Sequence, residues 1–150
     1  MLKELVQKCY SDPKNPKWLA SFVDEFTFKK SLKNNEKNSG KTDPERAYWG
    51  LTLGECFTLL NNNFERVRNI FTNDEEHSFS NQQNFKTAGI FIGEIRAKVS
   101  AHATGSKVKK SDMELLRIYM NKVLSCLQAE LSVASVEEAS EAPDQLIEEE

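Results

Sequence analysis

Apolar positions in this chain recur at helical spacing in several separated runs, and no stretch alternates as a half-buried strand does. Leu2, Leu5, Val6 and Cys9 share one face and predict a short helix ending near Tyr10. Pro13 and Pro16 break it, because the residue before a proline is pushed out of the helical region. Trp18, Leu19, Phe22, Val23 and Phe26 form a second apolar stripe. The run from Ser31 to Asp43 has almost no apolar content. It reads as a solvated connector, with a phosphate-gathering arm of lysines as the alternative.

Asp43-Pro44 has the form of a helix start, with a capping carboxylate followed by a proline whose missing N–H costs nothing at the first position. Ala47, Tyr48, Leu51, Cys56, Phe57, Leu59 and Leu60 follow on more than one side, which predicts a central helix. Asn61, Asn62 and Asn63 interrupt it. Phe64, Val67, Ile70 and Phe71 then resume, giving either one bent helix or two abutting ones. A polar loop with His77 leads to the run from Asn84 to Thr104, where Phe85, Ala88, Ile92 and Ile95 make a face. Gly89 and Gly93, four apart, permit close packing of another backbone, and Gly105 is a natural stop. Ser111 and Glu114 have capping-box spacing, and Met113, Leu116, Met120, Val123, Leu124 and Leu127 continue to about Leu131. The expected class is all-α, a bundle of four to six helices.

Composition narrows the setting. At 150 residues the chain suits one domain with a real core. No apolar run approaches the roughly 20 residues that span a bilayer, and the charged N-terminal pattern is unlike a signal peptide, so no membrane role and a cytoplasmic location are expected. Cys9, Cys56 and Cys126 are odd in number and far apart, which argues for buried thiols rather than disulfides or zinc. Of 23 acidic residues, seven fall in 132–150, which has no Lys or Arg; 1–131 then holds 20 basic against 16 acidic residues, a body of +4. That balance is compatible with an anionic ligand and equally with a mixed solvated surface. Residues 132–150 read as a disordered acidic tail, with Leu146 and Ile147 as a protein-binding candidate.

The chain has no glycine-rich phosphate loop, no H-E-x-x-H pair and no G-x-S-x-G elbow. The candidate chemistry left is metal-free and cofactor-free, using Arg96 and His102. A guanidinium fork matches phosphate oxygens, and an imidazole moves a proton near neutral pH. The same two residues at a helix end can instead interact with its last carbonyls. An offset of six places the side chains about 120° apart on an ideal helix. They converge only if the helix loosens before His102 or a second chain completes the site.

Glu94-Ile95-Arg96, five intervening residues and His102, then the polar link Lys109-Lys110-Ser111-Asp112 into a capped amphipathic helix, resemble the HEPN (higher eukaryotes and prokaryotes nucleotide-binding) domain family and its R-x(4–6)-H motif. The resemblance covers Tyr48 to Leu131. It implies an up-and-down four-helix-bundle core over 44–131, with residues 1–43 as additional N-terminal helices and a polar loop. It also implies a homodimer whose motif helices line a shared cleft. In activity it implies a metal-independent endoribonuclease of toxin–antitoxin or phage-defence type, with RNA as substrate and an antitoxin or larger defence complex as partner. His102 would act as general acid or base and Arg96 would hold the phosphate, with Lys98 and Ser100 as RNA-binding residues. Active members place a polar residue directly after the arginine, where this chain has Ala97. The alternative is a non-catalytic HEPN-like dimerisation or adaptor module that binds protein or nucleotide.

Overall fold

The computed structural model describes residues 1–72, 78–100 and 108–148, with side chains described for all of these except 100 and 131–148. His77, His102 and Gly105 lie outside the described residues, and of Ser100 only the backbone is described. The fold is all-α: six α-helices and three 3₁₀ segments, with one isolated bridge between Asp12 and Asn15 and no strand among the described residues. No helix among those residues is long and apolar enough to cross a membrane.

Helix α1 (Leu2–Tyr10) buries Leu2, Leu5 and Val6 of the expected face; Cys9 is half-buried, and Tyr10 is buried beside them. Asx turns at Asp12 and Asn15, whose carboxyl and amide oxygens accept from the N–H groups of Lys14 and Lys17, then turn the chain. A 3₁₀ turn at Trp18–Ser21 drives Trp18 and Leu19 into the core. Phe26, placed by its spacing on the apolar stripe, is 76% exposed.

The polar run after Phe26 is not a connector. Helix α2 spans Glu25–Ser39, opened by Asp24, whose carboxylate accepts from the Thr27 N–H at 2.7 Å, and closed by Gly40 in the left-handed region (φ 72°). Its buried face is Phe28 followed by Ser31 and Asn35, the latter two small or polar where the 3₁₀ segment Pro44–Gly50 lies almost directly on the helix. A Cβ on Gly50 would overlap the Ser31 carbonyl. Close backbone approach, rather than a greasy stripe, holds α2 down.

The expected single helix from Asp43 is likewise divided. Asp43 makes no side-chain cap, and Pro44–Gly50 is 3₁₀. Helix α3 (Leu53–Asn62) starts afresh at a full capping box: Thr52 Oγ1 accepts from the Glu55 N–H, and Glu55 Oε1 accepts from the Thr52 N–H. Asn63 leaves the helical region, and a 3₁₀ turn (Phe64–Arg66) precedes the single-turn helix α4 (Arg68–Phe71), so the two segments abut.

Helix α5 (Gln82–Ser100) buries Phe85, Ala88, Ile92 and Ile95 as its pattern predicts. Phe85 is an aromatic hub. Its ring centroid lies 4.6 Å from Phe71, 5.1 Å from Phe64, 5.6 Å from Phe79 and 5.7 Å from Phe57. Helix α6 (Lys110–Glu148) begins one residue before Ser111, and Lys109 supplies the first carbonyl, to Met113, so Ser111 sits inside the first turn rather than at the cap. Its backbone is helical over 132–148, where composition predicts a disordered tail. Val123, Cys126 and Leu127 reach the core, and Phe91 of α5 meets Tyr119 of α6 edge to face at 5.6 Å. One core cluster includes residues from α1, the Trp18 turn and α2 together with α3, α5 and α6, so it crosses the 43/44 position.

Candidate functional site

Ile92 and Ile95 point α5 at the core, and Arg96 comes about 100° further round, out over Gly93. Its guanidinium makes no hydrogen bond or ion pair with another described residue. It lines an open groove of about 680 Å³ between the start of α1, the outer face of α2, the Pro44–Gly50 segment and α5. Lys3, Asn34, Asn38 and Trp49 line the same groove, and no Asp or Glu does.

Local structure holds Lys3, Asn34 and Trp49 in place. Lys3 Nζ donates to the Trp49 backbone carbonyl at 2.6 Å, which tethers a cation to the segment that carries the indole. Asn34 and Asn38, four apart on α2, share a face, and one Asn34 N–H donates to the Gly50 carbonyl at 3.3 Å. Trp49 is 40% exposed, yet its ring is braced: the Tyr48 centroid lies 5.1 Å away, and Tyr48 in turn lies 5.8 Å from Trp18, which is 3% exposed. An aromatic ladder therefore runs from the core to the groove wall.

Arg96 is thus brought together with residues from three other segments. Lys98 is exposed and lies about 200° round the helix from Arg96, outside the groove lining. The side chain of Ser100 and all of His102 fall outside the described residues. Spacing along the chain does not single out Lys3, Asn34, Asn38 or Trp49, since they converge only through tertiary packing. The one local signal is the Tyr48-Trp49 pair, whose first ring reads as core and whose second cannot then face the same way.

Gly93 and Ala97, with little or no side chain, also line a second groove of about 600 Å³ between α3 and α5. Phe57 floors it and touches the space above Gly89, while Ile90 on its edge is 53% exposed. Lys86 and Glu94 line its α5 side.

The thiols have no part in either groove's charge. Burial pushes Cys56 up to about 11, and burial with the nearby Glu130 carboxylate raises Cys9. Among the described residues no group of three His, Cys, Asp or Glu side chains is placed to hold a metal ion. Compared with protein-family models, curated proteins and solved structures, the chain finds no match in any of the three.

Proposed function

We propose that this chain is a HEPN-type RNA-acting protein, a metal-independent endoribonuclease that works as a homodimer. The observation that carries the reading is Arg96: an exposed guanidinium with no partner among the described residues, in a groove without a carboxylate. Such a group suits a phosphodiester, whose charge it neutralises and whose oxygens it can grip in a bidentate fork. The R-x(4–6)-H spacing from Arg96 to His102 supplies the second half. In this reading His102 takes the proton from a ribose 2′-hydroxyl or gives one to the departing 5′-oxygen. Arg96 steadies the negative charge that grows on the phosphorus-centred intermediate. The 2′-oxygen bonds to phosphorus as the bond to the 5′-oxygen breaks, leaving a 2′,3′-cyclic phosphate and a 5′-hydroxyl. A four-helix core, a cytoplasmic setting and an antitoxin or defence-complex partner belong to the same proposal.

A second reading is favoured by the α3–α5 groove. Exposed Ile90, flanked by Gly89 and Gly93, is suited to packing against another helix, and Ala97 puts no polar group beside Arg96. This is the non-catalytic dimerisation or adaptor module.

One experiment separates them. The protein and its Arg96→Ala and His102→Ala variants are incubated with total RNA in EDTA, and the dimer is followed by light scattering. Cleavage by wild type that both variants lose supports the nuclease. Intact RNA with a persistent dimer supports the module.

A further inference from the structure

The groove beside Arg96 has a chemistry that phosphate binding alone does not use. We infer that it holds an unpaired stretch of RNA, with one base stacked on Trp49 and the adjoining phosphates on Lys3 and Arg96. The inference rests on the RNA reading above and goes beyond it by naming the strandedness of the ligand and the wall that grips it.

Four observations converge. Trp49 offers an indole that solvent reaches but that Tyr48 and buried Trp18 hold in place, so little rotamer freedom is lost when a base lies on it. Lys3 is tethered to the Trp49 backbone carbonyl at 2.6 Å, which holds a cation at the same groove wall as the indole-bearing residue. Arg96 lines the same groove from α5, and the absence of any Asp or Glu from the lining leaves the Lys3 and Arg96 cations uncompensated within it. Asn34 and Asn38 supply carboxamides, each a donor and an acceptor, of the kind that pairs with base edges. An aromatic platform with flanking cations is how single strands are bound without a strict sequence requirement. The volume of about 680 Å³ suits a nucleotide-sized ligand. A duplex keeps its bases stacked inside and has no face to give Trp49. An acidic peptide would satisfy Lys3 and Arg96 but would leave the indole unused.

The test uses the full chain and a fluorescently labelled 2′-O-methyl RNA hexamer, which lacks the nucleophilic hydroxyl and so is not consumed. Binding is read by anisotropy across a salt series, for wild type, Trp49→Ala, Trp49→Phe and Lys3→Ala, each checked for an unchanged thermal melt. The expected loss is about tenfold or more for Trp49→Ala, with Trp49→Phe retaining most of the affinity. Lys3→Ala should lower the slope of log K against log salt by about 0.7, one phosphate contact on a single strand. The same hexamer annealed to its complement should bind more weakly. Because Trp18 is buried, ligand quenching of the indole emission should vanish in Trp49→Phe. If wild type neither binds nor cleaves RNA, both this inference and the RNA reading fall. If wild type binds but Trp49→Ala and Lys3→Ala bind equally well, only the groove assignment falls. Equal or tighter duplex binding overturns the single-strand claim. Displacement of the hexamer by polyglutamate at stoichiometric levels would make the occupant an acidic peptide instead.

Discussion

The arginines of this chain divide by what they touch. Arg66 is structural: its guanidinium lies 5.2 Å from the Tyr10 ring centroid and 5.1 Å from that of Phe22, and it donates to the Cys9 carbonyl at 3.1 Å. Arg68 pairs with Glu65 at 2.6 Å on the surface, a contact worth little in water. Arg96 contributes to neither packing nor pairing among the described residues. Replacing it with Ala should therefore change stability by less than about 0.5 kcal/mol, measured by urea melt, whatever it does to RNA. Tyr10 offers a separate test. Its hydroxyl donates to the Asn63 carbonyl at 2.6 Å, and burial, then the nearby Cys9, push its pKa up to about 12. The neutral phenol is thus favoured in the folded state. Its contribution is complete below the ordinary tyrosine value near 10 and is lost as pH rises from there through about 12. Tyr10→Phe should be less stable than wild type at neutral pH by about 1 kcal/mol, and the gap should shrink above pH 10.

At the scale of elements, α2 and the 3₁₀ segment beneath it form the tightest joint. Gly50→Ala should cost about 3 kcal/mol or more, because the backbone of Ser31 cannot retreat as a side chain would. Gly93→Ala is the internal control. Its missing side chain has nothing within 4 Å, so the gain in helix propensity should leave stability unchanged or raised by about 0.5–1 kcal/mol in the same urea melts. This joint also explains where reading the sequence falls short. The apolar periodicity of α1, α5 and α6 is legible because their faces are filled by large side chains. The face of α2 has a single large buried apolar residue, Phe28, and is otherwise filled by Ser31, Asn35 and a neighbouring backbone, which periodicity cannot register. The Asp24 cap and Gly40 stop were the available signals, as Thr52 with Glu55 was for the true start of α3. The Arg-to-His spacing is equally local and equally legible. The groove is not, since Lys3, Asn34, Trp49 and Arg96 come from four segments that only the packing of α2 on Pro44–Gly50 assembles.

Among the described residues one core cluster gathers around Phe85, whose ring meets four others. Phe85→Ala should cost about 3–5 kcal/mol, a large share of an ordinary domain's margin of about 5–15 kcal/mol. The Trp18–Tyr48–Trp49 ladder ties the groove wall to the same core, so under the RNA-binding proposal the loss should also weaken binding of the RNA hexamer before the chain unfolds. The most direct measurement of the central claim is the single-turnover rate of RNA cleavage in EDTA, compared between wild type and Arg96→Ala at matched thermal stability. The account predicts cleavage by wild type that leaves 5′-hydroxyl ends, and a loss of about 10²–10³-fold in the variant. Equal rates in the two proteins, or no cleavage by a correctly folded wild-type dimer, would contradict it.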